Sequence, residues 1–299
     1  MKSINFAQLR AFHAVAIEGG FTKAARVLNV SQPTLSQEVK ALEETHGVRL
    51  LERGKRSVTT TPAGETLLAA ARRLFAAEQE VLQLLAGAHH LEGGTLALGA
   101  DSPMHAMPLL AAFTRRHPGP KVTVTMGNSA TLLAGLFDSR LDVAVLADAP
   151  GDGRLYVMPL RRDPVCALLP AKHPLARRRS LRLSDLAGET LLLREPGSMT
   201  RRLVEQALHQ AEVEGASRLV IATREAVVEA AAQGLGVGFV SEAEFTGDPR
   251  LVLRPFSDAR IEMDEFVVCL RDRRRLGVVR AFVEVAKELA AQEGVASHA

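Results

Sequence analysis

The stretch "GFTKAARVLNVSQPTLSQEVKALE", residues 20–43, decides the fold of the N-terminal part of this chain. It carries two apolar stripes at helical spacing, separated by Asn29-Val30. Ala24, Ala25 and Leu28 mark the inward face of one short helix, and Leu35, Val39 and Leu42 that of the next. Thr22 is a candidate cap for the first helix. Ser31 stands where the second needs one, and Pro33 is tolerated because it falls in the first turn. On the second helix Gln32, Ser36 and Lys40 recur four apart, with Pro33, Thr34 and Gln37 beside them, all away from the apolar stripe. Short polar side chains at a helix start suit base edges in a major groove, and the free N–H groups there favour phosphate. A solvated polar face is the plainer alternative, and the surrounding sequence weighs against it.

Upstream, Phe6, Leu9, His13 and Ala16 recur at helical steps, with Phe12 and Val15 beside them. Asn5 can cap this helix and Gly19-Gly20 ends it. Downstream, "RLLERGKRSVTTTPAGE" reads as strand, glycine turn and strand, with Arg53, Lys55 and Arg56 around the turn. Three helices and a two-stranded wing result. Residues 1–90 hold 11 Lys and Arg against 8 Asp and Glu, while the remainder holds 26 of each. The whole excess of +3 therefore sits on the N-terminal third, which suits a polyanionic partner such as DNA.

Thr61-Pro62 starts a further helix, with Thr as cap and Pro at its first position. From there to about residue 90 the chain is rich in Ala, Leu and Glu. Leu67, Leu74, Val81 and Ala88 are seven apart, and Ala70 or Ala71, Ala77 and Leu84 fill the alternate positions. This is a dimer-forming stripe, although packing on a neighbouring domain would also cover it. "LEGGT", residues 91–95, reads as a hinge. Beyond it strands and helices alternate. Strands are expected at 95–100, 121–126, 141–146, 155–160, 165–169, 190–193, 218–222, 237–240 and 265–270. Helices are expected at 103–116, 130–139, 200–210, 224–233 and 276–291. Alternation of this kind implies open, largely parallel sheets. Two lobes with two crossings, near 161–164 and 258–265, follow if the last strand and helix return to the first set.

The stretch "FTKAARVLNVSQPTLSQEVKALEETHGVRLLER", together with "TTTPAGETLL", resembles the LysR-type transcriptional regulators over the entire chain. Ala24-Ala25, Ser31-Gln32-Pro33, Leu42-Glu43, Arg53, Thr61 and Gly64 carry the resemblance. Gln37 stands where many members have Arg, Leu51 where many have Phe, and Glu38 adds negative charge beside the reading face. The resemblance implies a winged helix-turn-helix domain at 1–61, a linker and dimerisation helix at 62–92, and a two-lobed α/β effector domain at 93–299, like a periplasmic binding protein. Lobe I would comprise 93–161 and 265–299, and lobe II 162–264. It also implies a homodimer or homotetramer on two-fold promoter DNA, with RNA polymerase as a further partner. Thr22, Ser31, Gln32, Pro33, Thr34, Ser36, Gln37, Lys40, Arg53, Lys55 and Arg56 are the expected DNA contacts.

Ligands of open α/β sheets bind at the carboxyl ends of strands. Ala100, Asp101, Ser102, Asn128, Ser129, Thr131, Asp148, Ser198, Thr200, Arg201 and Thr223 cluster after such strands, many of them at helix starts. Each hydroxyl alone reads as a cap. Together they suggest a cleft where helix N-termini attract a small anion. Segments such as "GADSP", "MGNSATLL" and "LREPGSMTRR" are similar to a branch of the family associated with 2-aminoethylphosphonate breakdown, in which Asp101 or Asp148 would meet the ammonium. A carboxylate or aromatic acid would suit the hydroxyls equally.

Other signals carry less. "GLGVGF", residues 234–239, follows a helix and lacks dinucleotide-loop spacing, with Gly234 reading as a helix end. Cys166 and Cys269 lie in apolar strands and read as buried thiols of a reducing compartment. His89-His90 lacks a second pair at metal spacing. "ARRRS" and "RDRRR" read as solvated loops. No catalytic constellation, cofactor motif, export signal or membrane span is apparent, so a cytoplasmic regulator is expected rather than an enzyme or an exported solute-binding module.

Overall fold

The computed structural model describes residues 4–54, 58–85 and 94–292. Contacts divide the chain into two units, residues 1–87 with 138–140, and residues 88–137 with 141–299. The first unit runs α1 (Phe6–Glu18), α2 (Phe21–Leu28), α3 (Gln32–His46), β1 (Leu51–Arg53), β2 (Val58–Thr60) and α4 (Pro62–Leu85). Asn5 Oδ1 accepts from the N–H of Ala7 at 2.9 Å and caps α1, and Gly19 at φ 65° ends it. The buried stripe of α1 is Leu9, Phe12 and Val15 with Ala11 and Ala14. Phe6 is half exposed, and His13 and Ala16 only flank the core, so the expected stripe was displaced by part of a turn. Thr22 is not a cap either: α2 begins one residue earlier, after Gly20, and Thr22 is exposed in its first turn. Asn29 makes the turn in left-handed geometry at φ 54°, a conformation Asn tolerates.

The strand β1 pairs antiparallel with β2, and α4 is locked to the start of β1. Thr61 Oγ1 accepts from the N–H of Gly64 at 3.0 Å and donates to the Arg49 carbonyl at 2.8 Å. Thr61 N–H donates to the Leu50 carbonyl at 3.0 Å. Gly64 permits this approach, because a Cβ there would lie 2.1 Å from the Leu50 oxygen. The first half of α4 is not a free dimer stripe. Leu67, Leu68, Ala71, Leu74 and Phe75 pack into the core formed by α1 to α3. Val81 and Leu82 remain more than half exposed, at 54% and 52%. Ala88 lies outside the described residues.

The second unit contains β3 (Thr95–Ala100), α5 (Pro103–Arg116), β4 (Lys121–Met126), α6 (Ser129–Phe137), β5 (Val143–Ala147) and β6 (Leu155–Pro170). It continues with β7 (Thr190–Arg194), α7 (Met199–Gln210), β8 (Ser217–Ile221), α8 (Arg224–Ala232), β9 (Gly238–Ser241), β10 (Leu251–Arg254), β11 (Glu262–Leu270) and α9 (Gly277–Gln292). The two strands expected at 155–160 and 165–169 are one continuous strand, and β10 was not foreseen. The sheet is mixed rather than largely parallel. It runs β10-β6-β11-β5-β3-β4, with β9 also on β6. Among the strands of the described residues, β3 with β4, β3 with β5 and β7 with β8 pair parallel, and the remaining pairs are antiparallel.

Two lobes hang on the antiparallel pair β6 and β11, which crosses from one to the other with a register shift at Glu265/Phe266. In lobe I, strand alternation sends Leu96, Leu98 and Ala100 toward α5 and α9, while Ala97 faces Leu132 and Leu136 of α6. In lobe II, α7 buries Val204 and Leu208 on one side of the sheet, and α8 buries Val227 and Ala231 on the other.

Candidate functional site

Two regions carry the expected chemistry. The first is the start of α3. Ser31 caps it, its Oγ accepting from the Thr34 N–H at 3.2 Å and lying 2.7 Å from Thr34 Oγ1. Ser31, Gln32, Pro33, Thr34, Gln37 and Lys40 are exposed and Ser36 is half buried, while Leu35, Val39 and Leu42 turn into the core. Lys40 pairs with Glu44 at 3.4 Å, both about two-thirds exposed, so the contact holds the ammonium only weakly. Glu43 accepts from the N–H groups of Leu50 and Leu51 at 2.7 and 3.1 Å, which fixes the root of the wing to α3. Arg53 ends β1, and Lys55 and Arg56 lie outside the described residues.

The second region is a cleft between the lobes. Asp101, Asn128, Ser129, Ser198 and Thr200 line one narrow pocket with Arg194, Arg224 and Glu265. Its free volume is about 10 Å³, room for about one water. A wider recess of about 640 Å³ adjoins it, bounded by Asp148, Arg201 and Arg202 among others. The N-termini of α6 and α7 both reach the cleft, each through an early residue: Ser129 for α6, Met199 and Thr200 for α7. Asn128 does two things there. Its Oδ1 accepts from the Thr131 N–H at 2.9 Å, and its Nδ2 donates across to Glu195 Oε1 at 3.2 Å. Asp148, in left-handed geometry at φ 73°, pairs with Arg202 of the other lobe. Arg201 donates to the Arg194 carbonyl and pairs with Glu205.

Asp101 forms the floor. Its Oδ2 accepts from Ser129 Oγ at 2.8 Å and from the Ala147 N–H at 2.7 Å, while Oδ1 is buried without a partner. Burial pushes its carboxyl above the usual range, against those two hydrogen bonds. Not every expected residue reaches the cleft surface. Thr223 caps α8, accepting from the Ala226 N–H at 3.2 Å. Thr131 lies in the first turn of α6, where its hydroxyl donates to Asn128. Ala100 is buried in β3, and Ser102 is buried with its hydroxyl unpartnered.

Behind the pocket lies a charged cluster that sequence reasoning missed. His105 of α5 is buried, with Nδ1 3.1 Å from Glu265 Oε1 and Nε2 3.4 Å from Asp163 Oδ2. Arg161 grips Asp163 with two hydrogen bonds, at 2.6 and 2.7 Å. Arg224 donates to the Asp101 carbonyl at 3.1 Å and pairs with Glu244. Burial alone would lower the His105 pKa, but the facing carboxylates of Asp163 and Glu265 raise it overall. Burial, aided by the charge of Asp101, pushes Glu265 well above the ordinary carboxylate range. One sequence signal was available. Met263, Glu265, Val267 and Cys269 share the inward phase of β11, so Glu265 occupies a core position.

The cysteines are buried and free, and burial raises both thiols to about 11. Of the basic runs, Arg273 pairs with Asp142 at 2.9 Å with both side chains mostly buried, and Arg274 stacks over Tyr156. Arg273 and Arg274 are therefore held by the fold, while Arg271, Asp272 and Arg275 are exposed as a solvated loop would be. His89-His90 lies outside the described residues. Among the described residues no helix is long and apolar enough to cross a membrane.

The chain matches the bacterial regulatory helix-turn-helix protein model of the lysR family over residues 6–65, and the LysR substrate binding domain model over residues 89–291. It is 32% identical to the regulator CfxR of Cupriavidus necator over 243 residues, 81% of this chain and 77% of that one. It is 31% identical to CbbR of Xanthobacter flavus over 284 residues, 93% of this chain and 85% of that one. A full-length OxyR variant from Pseudomonas aeruginosa superposes with a TM-score of 0.78 at 25% identity, covering 97% of this chain and 95% of that one. Full-length CbnR complexed with its target DNA has the same fold, with a TM-score of 0.68 at 23% identity over 96% and 100% of the two chains. None of these names points to the phosphonate branch. The chain is a DNA-binding transcriptional regulator of the LysR family, not an enzyme.

Proposed function

We propose that α3 reads a promoter half-site through Gln32, Pro33, Ser36 and Gln37, with Thr22, Ser31, Thr34, Lys40 and the wing residues Arg53, Lys55 and Arg56 holding the backbone. The observation that carries this is the first turn of α3, capped by Ser31 and exposed on one side while Leu35 and Val39 anchor the other. One such module makes few base contacts, so a second copy on a two-fold site multiplies selectivity. Val81 and Leu82 on α4, and Val124, Met126, Leu219 and Val220 on the edge strands β4 and β8, supply apolar surface for self-association. A mobility shift on the promoter beside the chain's own gene tests this. A protein that ignores that DNA at low salt overturns it.

The effector reading is a small anion held between the lobes. The N-termini of α6 and α7 attract its negative end, and the unpartnered Oδ1 of Asp101 offers the floor to an ammonium or hydroxyl. 2-Aminoethylphosphonate has this polarity. Relatives from Allochromatium vinosum and Synechocystis are named for RuBisCO regulation, which adds the sugar bisphosphate consumed by that enzyme as a second candidate. A thermal-shift series with both compounds, phosphonoacetate and simple carboxylates decides among them. A ligand at about 100 times its Kd adds about 2.7 kcal/mol to stability. If only carboxylates raise the melting temperature, the phosphorus oxyanions are ruled out. If no anion does, the anion reading falls.

A further inference from the structure

Three side chains from separate elements converge behind the cleft: His105 in the first turn of α5, Glu244 just after β9, and Glu265 on the crossing strand β11. Each offers a ligand atom within 4.8 Å of the other two, and all three are buried. Among the described residues Glu265 Oε2, on a side chain 1% exposed, lacks a hydrogen-bond donor, as does Glu244 Oε2. Buried carboxylate oxygens without donors are costly unless something neutralises them.

We propose that His105, Glu244 and Glu265 bind a first-row divalent cation. One imidazole and two carboxylates form the donor set that zinc, cobalt and manganese accept. The orientation of His105 supports this independently. Its Nδ1 points at Glu265, while its Nε2 faces Asp163, which Arg161 clamps. A carboxylate behind the far ring nitrogen is how protein sites fix the tautomer of a metal-binding histidine. Asp163 is thus a positioning residue and not a ligand. Glu265 also lines the narrow pocket, so the site borders the solvent-facing cleft. Its ligands come from both lobes and from the strand joining them, so a bound ion couples lobe to lobe. The proposal stands independently of the effector reading.

The test is equilibrium dialysis of chelator-stripped full-length protein against Zn²⁺ and Mn²⁺, with metal counted by mass spectrometry. Co²⁺ absorption serves as the spectroscopic readout. The expected result is one ion per chain, lost in His105→Ala and Glu265→Gln. Asp163→Asn should retain the ion but weaken it about 10- to 100-fold and shift the Co²⁺ band. That variant keeps the test decisive if either ligand variant fails to fold. A His89→Ala/His90→Ala variant should bind as the parent does. No ion in the parent protein, binding unchanged in Asp163→Asn, or binding lost with the 89/90 pair would each overturn the site.

Discussion

Replacing Gln32 by Ala separates base reading from everything else α3 does. Gln32 is the first residue of the helix and is exposed, so truncation removes no packed atoms and leaves the Ser31 cap in place. Folding stability should change by less than about 0.5 kcal/mol, as for other surface substitutions. A glutamine making a two-point contact with a base edge is worth about 1–3 kcal/mol of discrimination. Per half-site this is about 5- to 150-fold, and two half-sites in a dimer double the free energy. The side chain is uncharged, so the slope of log affinity against log salt should not move. Lys40→Ala is the contrast. Lys40 pairs with Glu44 in an exposed contact, so its loss should weaken all duplexes alike and reduce that slope by about one per half-site. Fluorescence anisotropy on the promoter duplex and on a scrambled one, from about 50 to 200 mM salt, measures each quantity. Equal weakening on both duplexes by Gln32→Ala would refute base reading and leave Gln32 a backbone contact.

Other expectations concern stability, reactivity and assembly. Gly64→Ala forces a Cβ to 2.1 Å from the Leu50 carbonyl, which the Thr61 N–H holds in place, so a loss of at least about 1–3 kcal/mol is expected in thermal melts. A melting curve matching the parent would show that α4 can shift away from β1. Cys166 and Cys269, with thiols raised to about 11 by burial, should resist alkylation at pH 8 in the native protein and react only on unfolding. A fast native reaction of either would expose an opening that the fold does not explain. Val81→Lys with Leu82→Lys places charge on the exposed part of α4 and should lower the oligomeric state seen in sedimentation, with the melting of the N-terminal unit preserved. Unchanged assembly would move the interface elsewhere.

Much of this was legible in the residues because local rules and tertiary structure agree. Ser31, Asn29, Thr61 and Leu35-Val39-Leu42 each perform the role that capping, turn and periodicity assign them. Reading failed where two patterns overlapped. The Ala-rich α4 offers apolar residues on more than one side, so a seven-residue repeat was found although Leu68, Ala71 and Phe75 face the unit's own core. β6 reads as two strands parted at residues 161–164, yet Arg161, Arg162, Asp163 and Pro164 pair with Glu265, Asp264, Met263 and Glu262 of β11, so the chain runs on as one strand. In the cleft, hydroxyls and strand ends led to Asn128, Ser129, Ser198 and Thr200. The buried cluster was invisible because His105, Glu244 and Glu265 are distant in sequence and meet through the fold.

That crossing has a mechanical consequence. The lobes are joined by two paired strands and not by flexible loops, with one extra residue, Leu160, at the register shift. A hydrogen-bonded ribbon resists bending but yields to twist, and a bulge concentrates the twist at one point. Occupancy of the cleft would then be transmitted as a rotation about the ribbon, small in angle and recoverable when the occupant departs.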